Sequence, residues 1–512
     1  MKTKSLLMCL MAVLSLGFWS CSDDDENGGA AVGITSVTVK PEGSAKEYRC
    51  TPNQSTRIIE NTSDPVDWDV TDASLTRTTV KVTATLNTVV YYNDQAIGAD
   101  GLEIDVKNPV TLTAKDNSGN TKVYTLKVVR ATTASGETMV KKSDSFQGLP
   151  SNLLSFDMAY FKDKFYAITT TVTGADENKV ENYQLFSSVD GLNWTEVAYQ
   201  TDITGVNFTE EQVKDFVIGG EGARLVVFND RMYVLGGART QASDKFGNAK
   251  EEFYGMPQIS YWRSFSTEDG LTFKVDTVGM TYQKSNGDVV SYQQLTNTNM
   301  NTAVFDGKLF MKSGYNITFG MGQNASVYAY TSDGKAWNQI SPVASDGSTS
   351  VDVARRLGDA FFAFKGKLWC VGGFVNFLSS SANNTCGTVY SSTDGINWTL
   401  ESDTVGNVLK NLYGMKVVAN DEVAYMFGGE RLVGDGTYTR EISQDIFRST
   451  DGITWEKVEV PQNYVGRRLP SVLLQGNSAW IFGGIKSKSS DNYAFPSATD
   501  ELATDTWVKL MN

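Results

Sequence analysis

The sequence predicts an all-β protein, and three observations carry that prediction. The first is a repeated turn. Ser188-Val-Asp-Gly-Leu-Asn-Trp194, Thr267-Glu-Asp-Gly-Leu-Thr-Phe273, Thr331-Ser-Asp-Gly-Lys-Ala-Trp337, Ser392-Thr-Asp-Gly-Ile-Asn-Trp398 and Ser449-Thr-Asp-Gly-Ile-Thr-Trp455 share one form. Asp-Gly is a strong hairpin signal, because the carboxylate accepts backbone N–H groups across the turn and Gly takes the positive-φ position. The second is a set of short apolar strands ending in a glycine pair: Arg231-Met-Tyr-Val-Leu-Gly-Gly237, Lys367-Leu-Trp-Cys-Val-Gly-Gly373, Val423-Ala-Tyr-Met-Phe-Gly-Gly429 and Ser478-Ala-Trp-Ile-Phe-Gly-Gly484. The third is a run of alternating strands with no helical pattern over roughly the first hundred residues after the leader.

Each repeat unit reads as strand, turn, strand with Gly-Gly, long loop, strand, Asp-Gly turn, strand. That is a four-stranded meander, the blade of a β-propeller. Its aromatic anchors fall at Trp194, Phe273, Trp337, Trp398 and Trp455, with Trp507 as a sixth whose turn has decayed. Six blades are therefore expected over 151–512. The N-terminal strands Thr35–Lys40, Val80–Thr85, Thr88–Tyr92, Val110–Ala114 and Lys122–Val129 make residues 33–131 an expected immunoglobulin-like β-sandwich. Residues 132–150 link the two. Glu137–Lys142 and Asp505–Leu510 both resemble outer blade strands, and the C-terminal one is expected to close the ring.

Composition removes more chemistry than any motif adds. The 512 residues contain no histidine, so no Ser-His-Asp triad, Cys-His pair, His-ligated metal or His general base can be built. A net charge of −14 argues against a nucleic-acid partner, which would need a basic stripe. No cofactor is expected, and no polybasic run marks a membrane patch.

The chain opens with a secretion signal, residues 1–21. Lys2 and Lys4 precede a 14-residue apolar run from Leu6 to Trp19, short of the roughly 20 residues needed to cross a bilayer. It ends at Gly17-Phe-Trp-Ser-Cys21, which resembles a bacterial lipoprotein signal, in which Cys21 is the lipidated residue; an ordinary signal peptide with an incidental cysteine is the alternative. The acidic tether at 22–32 resembles the surface-export signal of Bacteroides-type lipoproteins, so the membrane would be met through the lipid anchor alone. A periplasm-facing tether is the bland alternative. In that oxidising setting Cys370 and Cys386 are permitted to bond, with two buried free thiols as the default.

The Gly-Gly strands resemble kelch-type propellers, and the Asp-Gly turns resemble the Asp boxes of sialidase-like propellers. The whole layout resembles an uncharacterised family of Bacteroides-type surface lipoproteins, which implies the fold and brings no activity. Kelch-type galactose oxidase holds copper with two histidines, which this chain lacks. Sialidases carry Phe-Arg-Ile-Pro before the first box, whereas this chain has Phe146-Gln-Gly-Leu-Pro150.

Candidate site residues follow from position. The box aspartates Asp190, Asp269, Asp333, Asp394 and Asp451 sit in separate outer turns and read as structural, since paired glycosidase carboxylates lie within roughly 10 Å. Loop aromatics such as Tyr254, Tyr315, Phe377 and Tyr413 suit glycan stacking or protein recognition. Arg224, Arg356 and Arg468 enter the innermost strands, where a planar guanidinium either clamps a carboxylate or acidic sugar or pairs with the protein's own acids. The expected function is a non-catalytic, surface-exposed outer-membrane lipoprotein that binds a glycan or glycoprotein. The alternatives are a carboxylate-dependent glycoside hydrolase or lyase, and a scaffold for an outer-membrane protein partner.

Overall fold

The structure, a computed structural model, describes residues 32–44, 46–131, 138–173, 180–204, 218, 222–235, 251–253, 256–258, 265–275, 281–283, 289–291, 301–312, 328–347, 351–373, 387–403, 408–433, 439–487 and 500–512. The signal segment, Cys21 and all but the last residue of the tether lie outside them. The described chain is all-β apart from a five-residue helix, Asp72–Thr76, and one 3-10 turn, Val353–Arg355. Thr71 caps that helix by accepting from the Ser74 N–H at 2.9 Å. No described helix is long and apolar enough to cross a membrane.

All five expected N-terminal strands form, and they hydrogen-bond with four others in a single curled nine-stranded sheet. The sheet is continuous because Tyr48–Pro52 pairs with Ile34–Pro41 along one edge and with Ile58–Glu60 at its end. Ile58–Glu60 then runs parallel to Thr121–Lys127, carrying the ladder to the other face. Alternation turns Val37, Val39, Tyr48, Val80, Leu112, Tyr124 and Leu126 inward, and all are at most 1% exposed. Each such burial stabilises by about 1.5–3 kcal/mol relative to exposure.

Nine further sheets follow among the described residues; six have four or five strands, and we number these I to VI. Sheet I comprises Leu153–Phe161, Lys164–Thr173, Val180–Ser188 and Thr195–Glu196. Sheet II runs from Arg224–Phe228 through Arg231–Leu235 and Phe265–Thr267 to Thr272–Val275. Sheet III holds Asn301–Phe305, Lys308–Lys312, Tyr328–Thr331 and Asn338–Gln339. Sheet IV holds Ala360–Phe364, Lys367–Val371, Val389–Ser392 and Asn397–Ser402, and sheet V holds Lys416–Ala419, Ala424–Phe427, Ile446–Ser449 and Glu456–Val458. Sheet VI is Ser471–Gln475, Ser478–Ser487, Glu501–Leu510 and Met139–Ser143. Sheets II and IV gain a fifth, parallel strand (Gln200–Asp202 and Val343–Ala344), because the chain leaving one sheet runs along the outer edge of the next.

The Asp-Gly turns tie neighbouring sheets together. In each, one aspartate oxygen accepts two successive backbone N–H groups, as Asp394 does from Ile396 at 2.7 Å and Asn397 at 2.8 Å. The turn glycine then packs against the aromatic at the third position of the second strand in the preceding sheet. Gly270 meets Tyr166, Gly334 meets Tyr233, Gly395 meets Phe310, Gly452 meets Trp369, and Gly191 of sheet I meets Trp480 of sheet VI. Innermost strands also touch from III through IV, V and VI to I, and from I to II.

The closing of sheet VI differs from expectation. Glu501–Leu510 is its third strand, and the edge strand is Met139–Ser143, paired through Met139↔Lys509 and Val140↔Val508. Both segments were candidates for one position; the sheet needs two strands and takes both. Trp507 is consequently not a counterpart of the turn tryptophans. It sits on the third strand opposite Ile481, and its indole N–H donates to Asp505 at 2.6 Å. The N-terminal sheet rests on this end of the ring of contacts: Trp68 joins the cluster of Phe165, Trp194 and Trp480, and Lys142 pairs with Asp69 at 2.9 Å.

Candidate functional site

Six polar residues on, or just before, the six innermost strands converge. Asp157, Arg224, Asn301, Lys416 and Ser471 occupy equivalent rungs, opposite Ile168, Leu235, Lys312, Phe427 and Phe482 of their second strands. In sheet IV that rung is Ala360, opposite Val371, and Asp359 just before it supplies the polar group. All six line one cavity of about 160 Å³, together with apolar Met158, Leu225, Phe361, Met415 and Leu473. A pocket with a few convergent polar groups among apolar walls is the usual form of a small-molecule site.

Most of the ring is fixed by internal partners. Asp157 accepts from the Leu225 N–H at 2.9 Å and lies 3.5 Å from the Arg224 guanidinium. The Ser471 hydroxyl accepts from the Met158 N–H at 3.1 Å. Asp359 forms an ion pair with Lys312 at 2.6 Å, both at most 1% exposed, and its side chain and backbone accept from Asn301 Nδ2 at 3.1 Å each. Cys370, a free and buried thiol, donates to the same carboxylate at 3.2 Å. Burial and the Asp359 charge both push that thiol well above its ordinary value, so it is inert filling rather than a nucleophile. Cys386 lies outside the described residues.

Lys416 differs from the others. Among the described residues its side chain has no ion pair and no hydrogen bond, and that half-buried side chain faces the cavity. Burial pushes its amine down to about 7, helped by Arg224 and opposed by Asp157 and Asp359. It stands between amine and ammonium near neutral pH.

The arginines expected at the site divide. Arg224 lines the cavity. Arg356 is structural: it pairs with Asp352 at 2.8 Å, donates to the carbonyls of Gly372 and Thr388 and to the Thr388 hydroxyl, and stacks over Tyr390. Arg468 donates to Glu430 at 2.9 Å with both side chains fully buried. Its neighbour Arg467 grips Asp505 through two bonds of 2.9 and 3.2 Å. Burial pushes Asp505 up, yet Arg467 and the Trp507 indole hold it below its ordinary value. These guanidiniums lie in the segments leading into the innermost strands of sheets IV and VI, where they are buried and satisfy the protein's own acids.

The aromatics divide as well. Tyr413 is 3% exposed and belongs to packing, as does Tyr464, whose ring lies between Trp507 and Arg467. Tyr254, Tyr315 and Phe377 lie outside the described residues. The turn aspartates remain turn residues. For Asp269, burial raises the carboxyl, but the N–H groups of Thr272 and Leu271 and the Thr267 hydroxyl outweigh it and hold it at about 2. Among the described residues no group of acids or cysteines could hold a metal.

The cavity residues Asp157, Asn301, Asp359, Lys416 and Ser471 escaped sequence reasoning. The available signal was one polar residue at the head of an apolar run: Asp157-Met-Ala, Arg224-Leu-Val-Val, Asn301-Thr-Ala-Val, Lys416-Val-Val and Ser471-Val-Leu-Leu.

No protein-family model matches the chain, and no curated protein matches it. Among solved structures, one titled "Structure of YjhT" matches with a TM-score of 0.40 and 14% identity, covering 71% of this chain and 96% of that one. At that distance neither ligand nor activity carries over.

Proposed function

We propose that the chain is a surface-exposed outer-membrane lipoprotein, anchored through Cys21, that binds a glycan or glycoprotein without altering it. In this reading the curled N-terminal sheet is an immunoglobulin-like spacer and sheets I to VI are the blades of a six-bladed propeller. The glycine–aromatic contacts that run from each of sheets II to V to the preceding one, and from I back to VI, support the propeller. One observation carries the binding reading: every one of the six sheets contributes a polar residue to a single central cavity.

The same geometry favours binding over glycoside hydrolysis. A general acid needs a carboxyl kept protonated near its working pH. The two carboxylates at the cavity are each committed to a cation, Asp157 to Arg224 and Asp359 to Lys312. The test is a glycan-array and polysaccharide-retention screen of residues 33–512, with product analysis on each hit. Retention of unchanged ligand is the expected result. Cleaved product would transfer the site to the hydrolase reading, and silence across the array would overturn glycan binding in favour of a protein partner.

A further inference from the structure

Among the described residues, the charges around the central cavity do not balance. Arg224 is matched by Asp157 and Lys312 by Asp359, which leaves Lys416 as the cation without a partner among the described residues. Counted over the described residues, the site is one positive charge in excess when Lys416 is protonated, inside a protein whose net charge is −14. Its lining also offers acceptors, since Asp157 and Asp359 remain beside the excess cation. One unpaired cation matches a singly charged anion better than a multiply charged one such as phosphate or sulfate. Asp157 and Asp359 can accept hydrogen bonds from hydroxyl groups, while Asn301, Arg224 and Ser471 can donate.

Size narrows the ligand further. The cavity of about 160 Å³ is smaller than the roughly 300–1,000 Å³ of typical drug-sized ligand sites, so a single small unit suits it better than an extended chain. We propose that the cavity takes the carboxylate-bearing unit of an acidic sugar, with Lys416 as the cation that meets the carboxylate. This deepens the glycan-binding reading and rests on it for biological sense, but it is tested separately.

The ring also predicts how binding depends on pH. A carboxylate brought within about 4–6 Å of an amine favours the ammonium form. Arg224 opposes protonation of Lys416, and Asp157 and Asp359 favour it. Because the free amine sits at about 7, binding above neutrality takes up a proton, and affinity falls as pH rises beyond that value.

The experiment is calorimetric titration of the chain 33–512 with D-glucuronate, with D-glucose and acetate as controls. Glucuronate is expected to bind at least about tenfold more tightly than either control, a difference of about 1.4 kcal/mol. At about pH 8 the heat should vary with buffer ionisation enthalpy, reporting proton uptake. Lys416→Met should weaken glucuronate by about tenfold or more, and Lys416→Arg should keep binding while abolishing proton uptake. A thermal melt confirms that both variants fold. Equal binding of glucose, acetate as good as glucuronate, no glucuronate binding, or unchanged binding by folded Lys416→Met would each overturn the proposal. Array retention of neutral glycans that ignores Lys416→Met would leave the general reading intact and remove this one. Glucuronate binding with a silent array would do the reverse.

Discussion

Arg468 donates to the Glu430 carboxylate across 2.9 Å, and neither side chain has any exposed surface. The pair joins the segment entering sheet VI to the strand Glu430–Val433 beyond the glycine pair of sheet V. Buried pairs of this kind gain little over well-packed apolar residues, but breaking one strands a charge. Glu430→Ala should therefore destabilise the protein by about 3–5 kcal/mol in urea unfolding. The double change Glu430→Leu with Arg468→Met should recover most of that loss. If Glu430→Ala unfolds at the wild-type midpoint, the pair is not structural and Arg468 returns to the list of ligand residues.

The turn glycines are predicted to matter for contact as well as for backbone conformation. Gly395 has φ +78 and faces Phe310, whereas Gly347 has φ +75 and open space around its missing side chain. Gly347→Ala should show only the backbone cost, about 1–3 kcal/mol. Gly395→Ala should cost at least about 1 kcal/mol more, because a β-carbon there overpacks against an immobile ring. Equal losses in the two variants would mean that the glycine–aromatic contact does not couple sheets III and IV.

Closure by Met139–Ser143 makes a prediction about where the C-terminal unit can begin. A chain starting at residue 138 retains the edge strand of sheet VI, while one starting at residue 151 leaves Glu501–Leu510 unpaired along one side. The shorter chain should unfold at lower denaturant and aggregate more readily, since an open edge strand templates pairing between molecules. Identical midpoints and identical solubility would contradict this role for the strand.

Lys416 gives a pH signature in stability. Its amine is lowered from 10.5 to about 7 on folding, chiefly by burial, so the unfolded chain holds more protons between those values. The penalty is full below about pH 7 and disappears as pH rises through the unfolded value. Lys416→Met should therefore be more stable than wild type at neutral pH, with the gap closing as pH climbs towards 10.5. Unfolding midpoints of the two proteins measured across that range provide the check. A gap that stays constant would mean the amine is not perturbed by its surroundings.

What could be read directly from the sequence was built from short-range chemistry. The Asp190 turn is complete within six residues, since its carboxylate binds Ser188, Leu192 and Asn193. The alternation in Thr88–Tyr92 or Thr121–Lys127 likewise needs no distant partner to declare a strand. The all-β class, the five repeated turns and their structural role were legible for that reason. The absence of histidine restricted the chemistry equally well.

The central cavity was not legible, because its parts are single residues separated by most of the chain. Asp157 and Ser471 are 314 positions apart, and each looks like an isolated polar residue before an apolar strand. Arg356 and Arg468 resembled ligand residues because their spacing was visible while Asp352's orientation and Glu430's proximity were not. The sequence by itself determined which segments turn, which pair as hairpins, and which aromatic each turn carries. Only tertiary structure decided which strand closes sheet VI, which arginines are spent on internal acids, and that Lys416 is left facing the cavity. The physical reason is distance along the chain: hairpin energetics act over a few residues, whereas charge pairing and burial depend on groups brought together only when all six sheets have packed.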